Sequence, residues 1–156
     1  MIDQVQINKV ITQGLREATG CEVVKSNLSN AKIPPYPYIS FTITNTDTRK
    51  GTYSADNSRR YMPLTQTWSF TVQSDDDNEA QLKAMRAKDW LEETGRVCLY
   101  DSGIVVRSVG AVTNRDTLLT LAYEYRKGFD VVFSLVNEIE GEEAETIEHA
   151  EIKRSE

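Results

Sequence analysis

From Tyr61 to Gly95 a polar/apolar alternation gives way to a burst of acids and then to a long helical pattern, and this strand-then-helix pair organises the rest of the chain. Trp68, Phe70 and Val72 share one face of a period-two run. Gln66, Thr67, Ser69, Thr71 and Gln73 supply its polar and β-branched positions, which is the signature of a half-buried strand. Ser74, Asp75, Asp76 and Asp77 break the alternation. Each can cap a helix, because a short side-chain oxygen accepts from the free N–H groups of the first turn and a carboxylate there suits the helix dipole. Asp76 and Glu79 have capping-box-like spacing. Asn78 to Thr94 holds neither Pro nor Gly, and Gly95 is expected as the left-handed residue closing the helix. In helical projection Ala80, Ala84, Ala87 and Leu91 make one narrow stripe of mostly small side chains, suited to close contact with a sheet. Leu82 and Met85 point elsewhere and predict a second apolar contact, either packing under a loop or a subunit interface.

Ile2 to Thr19 carries Ile2, Val5, Ile7, Val10, Ile11 and Leu15 at helical spacing, with Gly20 just past the last turn. Gly14 inside this helix costs about 1 kcal/mol against Ala, so it predicts close packing there or a shorter helix. Cys21 to Lys25 reads as a short strand burying Val23 and Val24, and Cys21 reads as a small apolar residue rather than a reactive thiol. Ile33-Pro34-Pro35-Tyr36-Pro37-Tyr38 is a rigid extended segment. Its composition would also suit a polyproline ligand, but it runs straight into a strand, Tyr38 to Thr44, in which Ile39, Phe41 and Ile43 alternate with Ser40, Thr42 and Thr44.

Asn45 to Arg60 is the longest stretch of the body without an apolar pattern, and it predicts a hairpin arm projecting between two strands. Arg49, Lys50, Arg59 and Arg60 outweigh Asp47 and Asp56 there, with Tyr53 as the lone aromatic. That is a weak signal for sequence-specific nucleic-acid binding but suits a surface that tolerates passing phosphates. Beyond the central helix, Arg96 to Tyr100 is a short apolar piece and Asp101-Ser102-Gly103 a turn. Ile104 to Val112 reads as a strand with Val105, Val109 and Val112 for burial, and Thr113-Asn114-Arg115-Asp116 as a turn. Leu118 to Leu135 reads as one long β segment interrupted at Lys127-Gly128, where an unbroken phase favours a bend or close backbone approach. The fold expected is α+β: a mostly antiparallel sheet with two main helices on one face, a single domain over 1–139 and an acidic flexible tail over 140–156.

Charge sharpens the boundary. From Glu138 to Glu156 eight acids face Lys153 and Arg154, which accounts for the whole net charge of −6 and leaves the body neutral. The acidic balance therefore describes the tail, where Ile147, His149 and Ile152 are the candidates for a docking face. Two distant cysteines and a single histidine, His149, leave little for a zinc site or for Cys/His and serine-hydrolase chemistry. No phosphate-binding glycine motif is present. The start of the chain lacks a basic-then-apolar leader and no apolar run spans a bilayer, so no membrane partner is expected and the chain reads as soluble and cytoplasmic. Asp75, Asp76, Asp77, Asn78 and Glu79 lack calcium-loop spacing and are explained by capping. No cofactor is implied. The enzymatic alternative is a small metal-dependent nuclease using Asp116, Glu124 and Lys127, which would cleave plasmid DNA with magnesium and lose this on Glu124→Ala.

The proline-led strand Pro35 to Phe41, the Trp68/Phe70 strand entering an acid-capped helix, the run Gly103 to Gly110, Thr113-Asn114-Arg115-Asp116, and Tyr123-Glu124-Tyr125-Arg126-Lys127-Gly128-Phe129-Asp130 follow one another in an order that resembles the neck or tail terminator proteins of tailed bacteriophages and prophages. The resemblance covers roughly Met1 to Asn137. It implies a structural, non-enzymatic virion-assembly protein: a ring, commonly a hexamer, that ends tail-tube growth and joins the tail to head-completion proteins while the genome passes through its hole. The place implied is the virion neck, with the host cytoplasm during assembly. Other head–tail adaptors and tail-tube proteins share the same patterning and remain alternatives. In this setting Arg49, Lys50, Tyr53, Arg59 and Arg60 would lie on an arm toward the lumen or a neighbouring subunit, and Leu82 and Met85 at a subunit contact.

Overall fold

A computed structural model describes residues 2–27, 32–49, 54–56, 59–118 and 123–140. The first helix, α1 (Gln4–Thr19), begins where the Asp3 carboxylate accepts from the Gln6 N–H at 3.1 Å and ends at Gly20, left-handed at φ +73°. Ile11 and Leu15 are fully buried, whereas Val5, apolar at helical spacing, is 79% exposed. Strand β1 (Glu22–Lys25) buries Val23 and leaves Val24 half-buried. It lies parallel to β2 (Tyr38–Arg49), which runs five residues beyond the expected end at Thr44.

Strands β3 (Ser54–Asp56) and β4 (Arg59–Ser74) form the expected hairpin arm with the end of β2, and every described residue of the patternless stretch 45–60 is strand. The polar composition of 45–60 carries no alternation that would mark where these strands begin and end. The arm positions Lys50 and Tyr53 lie outside the described residues. Helix α2 (Asp77–Glu92) follows β4, capped by Asp76, whose carboxylate accepts from the Asn78 N–H at 3.0 Å. Glu79 does not complete a capping box with Asp76. The Ser74 hydroxyl donates to its carboxylate at 3.0 Å instead.

The expected helix end at Gly95 is wrong. α2 stops at Glu92, Glu93 breaks the helix, and a third helix, α3 (Thr94–Asp101), takes in the supposed apolar piece 96–100. Gly95 sits inside α3 with no positive φ; a Cβ there would stand 2.3 Å from the Trp90 ring. Gly14 of α1 meets the same ring, again at 2.3 Å. Both glycines are thus required by the indole wedged against α1 and α3, and the left-handed residue after α3 is Gly103, at φ +81°.

Strand β5 (Val105–Val109) departs from simple alternation. A register irregularity at Arg107 puts Val106 opposite Phe133 and Val109 opposite Val131, so Val106 is buried and Val105 only half-buried. The expected single segment 118–135 is two strands. Thr117 and Leu118 of β7 (Thr117–Leu118) pair antiparallel with Glu124 and Tyr123 of β8 (Tyr123–Glu140), while β6 (Thr113–Asn114) pairs with Lys127 and Gly128 further along. Leu119 and Leu121, part of that expected alternation, lie outside the described residues.

The sheet runs β1–β2–β4–β8–β5, antiparallel except for β1. One hydrophobic cluster joins the even positions of β4 and odd positions of β2 and β8 to the three helices. Phe41 stacks on Trp68 at 5.0 Å, Phe133 meets Trp68 edge-on at 5.7 Å, and Phe70 contacts Phe129 at 5.7 Å. The Ala80, Ala84, Ala87 and Leu91 stripe is buried as the projection requires. Gln66 is also on this face, 2% exposed, tied to Gln4 at 2.6 Å and accepting from the Trp68 indole N–H at 3.1 Å. The architecture is α+β as expected, with the short α3 added to the two long helices.

Gly95→Ala is expected to lower stability by about 1–3 kcal/mol through overpacking, seen as a lower urea midpoint at unchanged slope. Gly95→Asn decides the cause: Asn suits a left-handed position better than Ala does, so it would be the milder change there, whereas against the Trp90 ring it is expected to be the worse one.

Candidate functional site

The small stripe of α2 lets the helix lie close on β4 and β8, and this fixes what its other side does. Leu82 and Met85 are each 49% exposed, as their projection away from the stripe predicts. Met85 stands at the lip of a cleft of about 550 Å³ between α2 and the β6–β8 region, whose walls include Gln81, Val112 and Tyr125. Two further apolar side chains face outward from α3, Val97 at 66% and Tyr100 at 69% exposed. Sequence reading missed them because the segment was not taken as a helix. The available signal is their i, i+3 spacing, which puts both on one side once 94–101 is helical.

At the floor of the cleft Lys127, its side chain 9% exposed, sits between two carboxylates. Its ammonium lies 2.8 Å from Asp116 and 2.8 Å from Asp77, so one side chain links β8 to the first turn of α2 and to the segment between β6 and β7. Burial pushes the Asp116 carboxyl up, but hydrogen bonds from Lys127 and from the Arg126 N–H, with the lysine charge, outweigh it and hold the group below its ordinary 3.8. Burial pushes the Lys127 amine down, and the two carboxylates overcome it and raise the amine above 10.5. On the other face of β8, Arg115 reaches back over Gly128, donating to Ser69 at 2.8 Å, Thr71 at 3.0 Å and Asp130 at 3.2 Å. A Cβ on Gly128 would stand 2.6 Å from the guanidinium and from the Phe70 carbonyl, so the interruption at Lys127-Gly128 is a close approach, as its unbroken phase suggests.

Strand alternation divides the nuclease set. Asp116 and Lys127 come together, but Glu124 occupies the opposite face of β8, where it accepts from Arg126 at 2.6 and 2.8 Å and from the Tyr36 hydroxyl at 2.9 Å. That hydroxyl is pushed up to about 12 by burial and by the neighbouring carboxylate. Each of these acids is thus engaged by a cation of its own scaffold. Arg49 ends β2, while Arg59 and Arg60 open β4 and fall in register between β3 and β8, with Asp56 and Glu140 flanking position 59. No helix among the described residues is long and apolar enough to cross a membrane.

Polar clusters thus tie their own strands together, and apolar side chains stand exposed on the outer sides of α2 and α3. The sequence model of the phage neck terminator protein family matches residues 9–156, and the chain belongs to that family. The match takes in the acidic end. No curated protein matches the chain. Membership makes this a structural protein of the phage neck and tail, located in the virion among other virion components; the family is not a known enzyme family.

The Lys127 cluster carries a pH signature. Asp116 contributes stability that is complete above the ordinary carboxyl value and lost as pH falls through its lowered folded value, whereas the share from Lys127 is complete below 10.5 and lost as pH rises through its raised one. Lys127→Met leaves the Asp116 carboxylate with only a backbone N–H donor and an asparagine neighbour. It is expected to lower stability at neutral pH by about 3 kcal/mol. The deficit should shrink as pH falls through the carboxyl range, where the unaltered chain loses the Asp116 contribution as well, measured by urea denaturation across pH.

Proposed function

We propose that the chain assembles into a hexameric ring at the tail–neck junction, where it ends tail-tube polymerisation and joins the tail to the head-completion proteins. The observation that supports this most directly is the double character of α2. One side is an alanine stripe buried on the sheet, and the other presents Leu82 and Met85, each 49% exposed, beside an open cleft. A helix serving only its own core has no need of that second side. The arm positions Arg49, Lys50, Tyr53, Arg59 and Arg60 then lie toward the lumen or the neighbouring subunit, where positive charge tolerates the passing genome. The acidic segment 140–156 restrains the free subunit from assembling early. The division of the cluster Asp116, Glu124 and Lys127 between two faces of β8 weighs against the nuclease alternative.

Light scattering on a sizing column, over a wide concentration range, is expected to show a closed assembly with the mass of a hexamer of 17.7 kDa subunits. A chain that stays monomeric up to the solubility limit overturns self-assembly as its intrinsic property. Leu82→Asp with Met85→Asp is expected to shift the assembly to monomers while leaving the circular dichroism unchanged; an unaltered mass would exclude that side of α2 from the contact. Removing residues 141–156 is expected to lower the concentration at which assembly begins.

A further inference from the structure

Strand β8 outruns its neighbour on one side. β5 pairs with it only as far as Ser134, and among the described residues no strand lies against Leu135 to Glu140 on that side. A cavity of about 240 Å³ opens at this point, between the start of α1, the turn into β5 and β8 itself. Its apolar walls are Ile2, Ile7, Ile104, Leu135 and Val136. Ile104 and Leu135 belong to the core, Ile2 and Ile7 are partly buried against it, and Val136 is 58% exposed. Two residues beyond Leu135 on the same strand face, Asn137 has a buried side-chain oxygen with no donor among the described residues. The cavity thus suits a branched aliphatic side chain carried on a backbone that still has an N–H to give.

The chain carries such a segment within reach. Residues 141–156 hold two large apolar side chains, Ile147 and Ile152, in a run that is otherwise polar, acidic or small. Gly141 follows the last residue of β8 directly, and glycine suits a reversal of direction. From Val136 out to Glu140 is four residues, about 13 Å at strand rise, and from Glu140 to Ile147 is seven, about 23 Å when extended. The return therefore covers the outward run with about three residues left for the turn. Ile147 is the first large apolar side chain after β8, and its distance matches that of the cavity.

We infer that the segment 141–156 turns back on its own subunit and seats Ile147 in this cavity. The seat gives a physical form to the restraint assigned above to the acidic end, because the docked segment covers Val136 and the uncovered side of β8 in the free subunit. Only that consequence rests on the ring reading; the docking is a property of one chain. Charge opposes the seat, since Glu145 and Glu148 flank Ile147 and Asp3 stands among the cavity's walls. Burial of the isoleucine has to outweigh a repulsion that salt screens. Docking therefore strengthens as ionic strength rises, the opposite of an acidic segment held on a basic surface.

The test is cleavage of the full-length chain by a glutamate-specific protease, following the bonds after Glu145 and Glu148 by mass spectrometry against a synthetic peptide of residues 141–156 in the same buffer. Both cuts are expected at least tenfold more slowly in the chain than in the peptide, independently of protein concentration. The ratio is expected to grow between about 0.05 M and about 0.5 M salt. Ile147→Asp is expected to abolish the protection, and so is Val136→Asp, which leaves the cut sites and their neighbours untouched. Ile152→Asp is expected to keep it. Circular dichroism and thermal melting check that each variant is folded. Cuts as fast as in the peptide, protection that survives either Ile147→Asp or Val136→Asp, protection that salt weakens, or protection that rises with protein concentration overturns the docking. If Ile147→Asp frees the segment while assembly begins at the same concentration as in the unaltered chain, the docking stands and the restraint on early assembly falls.

Discussion

The antiparallel ladder between β4 and β8 governs the rest of the molecule. It pairs Arg59 with Glu140 at one end and Ser74 with Tyr125 at the other without a register break. Because side chains alternate, this one alignment decides which residues meet the helices and which meet the opposite face. In the observed register Phe70 opposes Phe129, Trp68 opposes Val131 and Leu64 opposes Leu135 on the helix face. A slip of one residue would send these into water and bring Glu124 and Arg126 under α2. The register is pinned where the core ends: Gly128 must lie beneath the Arg115 guanidinium, and Lys127 must reach both Asp77 and Asp116. Neither contact survives a shift of one position, so polar groups at the margin enforce the alignment of the apolar ones.

The helix layer obeys a second constraint, which is space. Ala80, Ala84 and Ala87 let α2 approach the sheet, and Trp90, near the end of the same helix, fills the gap toward α1 and α3 only because Gly14 and Gly95 have no Cβ. Lys83 adds a polar tie, donating to the Thr19 carbonyl at the end of α1 at 2.7 Å. Burying a large apolar side chain contributes about 1.5–3 kcal/mol. The core aromatics and Trp90 can deliver that only while these five positions keep their small residues. The rigidity so obtained holds Leu82, Met85, Val97 and Tyr100 on a fixed outer surface.

Much of this was legible in the sequence because periodicity reports burial. The alternation of β4, the alanine stripe, the Asp76 cap and the close approach at Gly128 follow from the residues themselves. The outward turn of Leu82 and Met85 is legible for the same reason. What escaped has physical causes. Gly95 has two uses, and only the indole five residues before it decides between left-handed conformation and lack of volume. At Arg107 a bulge changes the phase of β5, which no count of alternation anticipates. The hairpin arm was legible only from the length of the stretch without apolar pattern between two strands, and the extent of its strands was not, because its polar composition carries no alternation. The family was legible through the order of several weak segments, none specific alone, and the family match spans 9–156, including the acidic end that the resemblance left out.

The β4–β8 ladder extends past the core. Among the described residues β8 continues past Ser134 with β4 alone paired to it, and of that stretch only Leu135 belongs to the hydrophobic cluster. An isolated two- or three-stranded ribbon is marginal in water, so an arm of this kind is stabilised by whatever covers it. In the ring proposed above, a contact through the small apolar patch of Leu82 and Met85 is weak by itself, since association must first offset lost rotational and translational freedom. Closure changes that balance, because the last contact forms within an assembly already held together, at high effective concentration. A subunit of the proposed ring with only modest contact surfaces would remain dispersed when scarce and close cooperatively when gathered.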